Sequence, residues 1–478
     1  MSSRELRVRL HDFEGGGMRQ RSSIPFVSAA HLAVRSTPAR LFVAAAALVV
    51  GVDSGGSFEA SEQEKQTNYV VKNLPSLGGT NSRGSSINNL GWIGGYSNLA
   101  EDTSRHATLW LYGFEFDLDT LGGPNSSVAW SSAMNNRGLI AGISQTTTPE
   151  PLGQRFSCWV FFPGPNNFGP TCRGVVWEWG EIRPLPLLDG GYNSFATAVN
   201  NRGEVTGWSE NGVVDPECDP ESTQVLQFRP VIWGPGRDQI REMPLFGDDT
   251  SGTVNAINDR GQAVGISGVC DQAVGRHSAK HAVLWENGTV RDIGNIGGDW
   301  WNTPTAINQR GDIVGFLGHP DDPEGALQAF LWTKHGGMQP LGVLPGQTPE
   351  HVRSEAYGIN ERGQVVGLSC DAEFNCRAFL WEDGVMKDLT MLAPGYDGVL
   401  VHARDINDLG MISGIAFDPD TEESVAYWAI PRHHRRGHHA TSSFASGRSR
   451  ATSRVVLPDD VKREMLHPLS SGHATPAR

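Results

Sequence analysis

Apolar and polar positions along this chain alternate in short runs, and the runs recur. An aliphatic-Asn pair, two variable residues, Gly, and then a variable-apolar-variable-Gly segment appear seven times. The pairs are Ile87-Asn88, Met134-Asn135, Val199-Asn200, Ile257-Asn258, Ile307-Asn308, Ile359-Asn360 and Ile406-Asn407. Their asparagines lie 47, 65, 58, 50, 52 and 47 residues apart, the self-similarity of a repeat architecture. Each core is followed by an apolar segment ending in Trp (110, 177, 233, 285, 332, 381 and 428) and then by a turn and a more polar run. The pattern predicts four strands per repeat, A to D. Asn-x-x-Gly predicts a type I turn with Gly in the left-handed region, closing A and B into a hairpin. Strand C (HAVLW, QAFLW, RAFLW) is apolar on both faces, as in a sheet covered on both sides. Strand D holds or adjoins Pro75, Pro184, Pro186, Pro244 and Pro340, and a residue without an N–H belongs on an edge.

Four-stranded units of about 50 residues predict an all-β fold, a seven-bladed β-propeller. The seventh repeat has strands A, B and C but lacks D, whereas a D-like segment, 69–77, precedes the first A strand. That segment is expected to complete the last blade and close the ring. An open β-solenoid, the rival architecture, does not explain the displaced strand.

The strand-C motifs His106-Ala107-Thr108, His281-Ala282-Val283, Gln328-Ala329-Phe330 and Arg377-Ala378-Phe379, with the seven Ile-Asn-x-x-Gly cores, resemble the HAF-repeat family of bacterial extracellular proteins. The resemblance spans about residues 69–430. Thr206 replaces the usual aliphatic before Gly207, and Leu90 and Leu409 replace the common Arg of the turn. It implies an extracellular repeat protein and brings no activity with it.

Composition adds the compartment. With 58 Gly, 14 Trp and 19% charged residues the chain reads as turn-rich β protein. Formal net charge is −14, and the acidic excess sits in the repeats, which argues against nucleic acid as a partner. Arg35 and Arg40 precede the apolar run 41–52, so residues 1–60 read as a leader with an export signal, with Met18 an alternative start. The run is too short for an ordinary membrane span, and no other stretch could span, so a secreted monomer, extracellular or periplasmic, is expected. Residues 61–430 form the propeller; the His-, Arg- and Ser-rich 431–478 reads as a disordered tail.

Six cysteines in an exported chain suggest disulfides. Cys158 and Cys172 bracket one B–C insertion, Cys370 and Cys376 bracket another, and Cys218 and Cys270 occupy this loop in adjacent blades, which predicts those pairings. The B–C and D–A connections are long and varied, so they mark the face where a ligand is expected. Trp300 and Trp301 with Asp299 and Asn302, together with Trp130 and Tyr192, are the candidates for stacking on a sugar. Asp418, Asp420 and Glu422 offer oxygens that could hold calcium; no other cofactor is indicated. No catalytic constellation is recognisable. The expected function is a non-catalytic binding or adhesion module for a glycan or protein. A structural cell-envelope repeat protein and a carbohydrate-active enzyme are the alternatives.

Overall fold

The computed structural model describes residues 67–154, 162, 169–218, 224–270, 279–297, 301–318, 327–347, 353–432, 456–459 and 461–462. The leader 1–60 and its apolar run lie outside these residues. Strands come in successive antiparallel sets of four. Five sets are separate sheets: 122–184, 194–242, 251–292, 303–340 and 353–388. The remaining strands form one eight-stranded sheet. In it, Gly78–Ile87, Ile93–Leu99, Arg105–Leu111 and Phe114–Asp117 make one antiparallel set. Val399–Ile406, Ile412–Asp418 and Glu423–Arg432 make the other, completed by Asn68–Asn73. A single parallel residue pair, Asn81 with Ser424, joins the two.

The strand from the chain's beginning therefore completes the set at its end, in antiparallel register from Asn68 opposite Arg432 to Asn73 opposite Tyr427. It is shorter than the 69–77 expected: Leu74 N still donates to the Ala426 carbonyl, but Pro75 has no N–H and ends the pairing.

The repeat asparagine closes the ring a second way. Asn88 Nδ2 donates to the Asn135 carbonyl, Asn135 to that of Asn200, and so on through Asn258, Asn308, Asn360 and Asn407, which donates to Asn88; all seven distances are 2.9–3.3 Å. Its Oδ1 meanwhile accepts two N–H groups of its own turn, as Asn258 does from Arg260 and Gln262. One amide thus shapes the hairpin and ties it to the next, and the fold is a closed β-propeller.

The two repeat glycines answer different needs. The first sits in the left-handed turn position, with φ from +77° to +90° across the seven copies. The second lies under a bulge in strand A, where a Cβ on Gly265 or Gly367 would collide with the carbonyl of Thr253 or Glu355.

Between sheets, the apolar faces interlock: Val264, Ala282 and Leu284 of one pack with Ile313, Phe330 and Trp332 of the next. Strand-C tryptophans fill the seams. Trp110, Trp177, Trp233 and Trp285 are buried, and each indole N–H reaches a carbonyl of the preceding set, at Pro75, Leu118, Pro186 and Pro244. Most of the prolines expected to mark strand D thus end it or follow it, and three anchor a tryptophan. Among the described residues no helix is long and apolar enough to cross a membrane.

Candidate functional site

Strand A lines the propeller axis, so the A–B turns surround one end of it. A polar cavity of about 360 Å³ opens there, lined by six of the seven repeat asparagines and by the residues that follow all seven. The successors are Asn89, Asn136, Asn201, Asp259, Gln309, Glu361 and Asp408. Each accepts the backbone N–H of the equivalent residue one turn back, and Asn89 Oδ1 accepts from Asp408 N, closing a second ring at 2.6–3.0 Å. Asn89 Nδ2 and Asn201 Nδ2 are further bound to Asp408 and Asp259. Asn136 Nδ2, Gln309 Nε2 and Glu361 Oε2 make no hydrogen bond among the described residues, so two donors and one acceptor stand ready at the mouth. Arg137, Arg202, Arg260, Arg310 and Arg362 surround it, exposed, and the two turns that carry leucine instead, Leu90 and Leu409, meet where the ring closes.

The floor of this mouth is singular. Asp405, where other A strands carry Ser, Ala or Gly, accepts from Ile87 N, Ser132 N, Ile406 N and Ser86 Oγ. Burial raises its carboxyl to about 6, against the pull of those hydrogen bonds. Above it, the A strand of the second set stops at Ser127 and the chain crosses the axis. Trp130 donates to the Thr305 carbonyl and Ser131 to that of Tyr357, while Arg83 and Arg404 both donate to the Ala129 carbonyl. Residues 129–132 therefore bar the channel.

Beyond the bar the axis is filled rather than open. Arg353 pairs with Glu355, which also accepts from the Tyr357 hydroxyl. Arg404 stacks on Tyr357 at 4.1 Å and Arg353 on Trp301 at 5.4 Å. His402 is held well below its ordinary value, by burial first and by the neighbouring arginines second, so it is neutral. Trp130, Trp301, Phe162, Phe195, Trp208 and Phe316 share one apolar cluster here.

This arrangement corrects the sugar-stacking expectation on the loop face. Trp130 and Trp301 are 4% and 1% exposed, and Asn302 is buried, its Nδ2 given to the Lys280 carbonyl; none presents a face to solvent. The apolar ring gains more from the axial core than from water. Tyr192 alone of the described candidates is exposed. Asp299 and Trp300 lie outside the described residues. Asp418, Asp420 and Glu422 do not converge: among the described residues no three acidic, His or Cys side chains form a metal-holding group. Asp418 instead caps its own tight hairpin turn by accepting from Asp420 N.

Cys218–Cys270 joins adjacent sheets, and Cys370–Cys376 closes a short loop, as expected. Cys172 is also disulfide-bonded; Cys158 lies outside the described residues. The tail expectation needs correction too. Leu457 and Val461 are buried in the axial apolar cluster, an apolar pair hidden within a tail of basic and polar composition. The mouth itself was not foreseen, although the variable residue after each repeat asparagine, always Asn, Asp, Gln or Glu, was legible as a pattern.

No family model matches the chain, and a search of curated proteins returns no significant match. Solved structures similar to it include a β-propeller domain. The β-propeller domain of the Trilobed protease from Pyrococcus furiosus is 13% identical, with TM-score 0.39, covering 65% of this chain and 81% of that one. Pyrococcus horikoshii acylaminoacyl peptidase is 11% identical, TM-score 0.43, covering 73% of this chain and 52% of that one. The BP39L lectin from Burkholderia pseudomallei is 10% identical, TM-score 0.35, covering 77% and 98%.

Proposed function

We propose that the protein is a secreted, seven-bladed β-propeller of the HAF-repeat kind that binds a glycan at the A–B mouth without turning it over. One observation carries the reading. A closed ring of seven amide and carboxylate side chains holds Asn136, Gln309 and Glu361 with uncommitted polar atoms facing a mouth of about 360 Å³. Amides and carboxylates fixed on a rigid backbone suit sugar hydroxyls, which both donate and accept. Asp405, the buried acid of the floor, is engaged by four donors and serves the scaffold. The seven asparagine links support the blade count, with the eight-stranded sheet read as two blades bridged at one residue pair. Disulfides support export.

A glycan array probed with the purified chain tests this, beside the triple variant Asn136→Ala/Gln309→Ala/Glu361→Ala. The expected result is selective binding by the wild type and a loss of at least about tenfold in the variant. Absence of binding, or binding indifferent to the three changes, overturns it.

A further inference from the structure

The opposite end of the axis carries an independent arrangement, beyond the glycan reading. Residues 456–462 lie far from the repeats in sequence, yet Leu457 is 1% exposed and Val461 4%. Both join the cluster of Trp130, Phe162, Trp301 and Tyr357. The described residues 456–459 and 461–462 close a helical turn, with Lys462 N donating to the Pro458 carbonyl at 2.9 Å, so the two anchors, four residues apart, fall on one side. Its backbone is also read: Leu457 N donates to Asn375 Oδ1 at 3.2 Å.

The reader of that amide is a built feature. Asn375 is buried in the loop that the Cys370–Cys376 disulfide closes. Its N–H and Nδ2 both donate to Asp371, which fixes the amide so that Oδ1 points at the incoming chain. An apolar socket for two aliphatic side chains and an oriented acceptor for one backbone N–H together make a peptide receptor.

We propose that the loop-side end of the axis is a peptide-binding site, and that segment 456–462 is its resident, self-supplied ligand. The site takes a short helical peptide with aliphatic residues at positions i and i+4. In sequence the segment follows strand Glu423–Arg432 on the same chain, so it is a tethered ligand. The tail is then a plug that a competing peptide displaces.

The test uses a fluorescein-labelled synthetic peptide of residues 454–464 and fluorescence anisotropy. The full-length wild type is compared with full-length Leu457→Asp/Val461→Asp, whose own tail is expelled. A tethered ligand competes at an effective concentration near millimolar, so the double variant is expected to bind the peptide at least about tenfold more tightly than the wild type. Adding Asn375→Ala is expected to weaken that binding roughly fivefold. Equal affinity in wild type and double variant, or no binding to a double variant whose melting curve is intact, overturns the proposal. Should the double variant not fold, hydrogen exchange of the wild type decides. The Leu457 amide is expected to exchange more slowly than in the free peptide, and Asn375→Ala to abolish that protection while leaving strand Cys376–Glu382 unchanged; exchange at the free-peptide rate in the wild type overturns the proposal. Neither variant touches the A–B mouth, so failure here leaves the glycan reading standing and the reverse holds too.

Discussion

The two ends of the axis are built on different principles. At the A–B end every position is supplied seven times, by the same hydrogen bond between equivalent residues. At the loop end almost nothing repeats: one interrupted strand sends Trp130 across the axis, Arg83, Arg353 and Arg404 come from three strands at three different offsets from the repeat asparagine, and the plug comes from the tail. The regular end stays open and polar because each side chain is tied to a neighbour at the rim and none reaches the centre. The irregular end closes because unique large side chains converge there. Repetition makes the scaffold, and departures from it make the contents.

The largest expected effect breaks the scaffold alone. Gly367→Ala places a methyl group against the Glu355 carbonyl on one side and the buried Phe379 ring on the other, and the backbone carbonyl cannot give way. Destabilisation of more than about 3 kcal/mol is expected in urea titration, since overpacking against backbone has no rotamer escape. A loss under about 1 kcal/mol would show that the bulge in strand A is soft and that the repeat glycine is not a packing requirement.

A second experiment addresses the exception at the regular end. Asp405 titrates near 6 in the fold because burial outweighs its four donors, against 3.8 for the ordinary carboxyl. A raised folded pKa means that the folded chain holds the proton more tightly than the unfolded one. The stabilising contribution is therefore complete below about pH 4 and is lost as pH rises through 6. Two units correspond to roughly 3 kcal/mol. Asp405→Asn has no such titration, so its stability relative to the wild type is expected to rise by up to about that amount between pH 4 and pH 7. Urea midpoints of both proteins at the two pH values measure it; parallel curves would place the carboxyl at its ordinary value and make the floor an ordinary hydrogen-bonded turn.

These two sites also mark what could be read from the sequence. The turn glycine and the recurring Asn gave the hairpin, the seam tryptophans and the displaced closing strand, because each is a local rule applied many times. The asparagine's second bond, to the next repeat, was hidden because nothing in one copy shows what lies beside it. The pairing of the strand-C histidines with strand D was hidden likewise: His106 and His281 bind Asp117 and Asp292 at 2.9 and 3.0 Å, partners eleven residues on across the C–D turn. Trp130 and Trp301 were misread for a different reason. They lie in connections, which normally run over a surface, but here the connections lead inward to an axis that needs filling. Leu457 and Val461 were averaged into a basic tail, since two apolar residues scarcely alter a composition.

The smallest effect sharpens the comparison most, because it divides one side chain into its two duties. Asn135 Oδ1 holds its own turn through Arg137 N and Leu139 N, and Asn135 Nδ2 reaches the next repeat at Asn200 O. Asn135→Asp keeps the acceptor and removes the donor, so only the link around the ring is lost. Asn135→Ala removes both. At about 1 kcal/mol per hydrogen bond, the aspartate is expected to cost about 1 kcal/mol and the alanine about 2 to 3. Thermal melts of the two variants give the ratio directly. Equal losses would mean that the ring link carries the whole effect and the turn needs no cap. A harmless aspartate would mean that the sheets hold the ring by apolar seams alone, and that the asparagine recurs only to shape the hairpin.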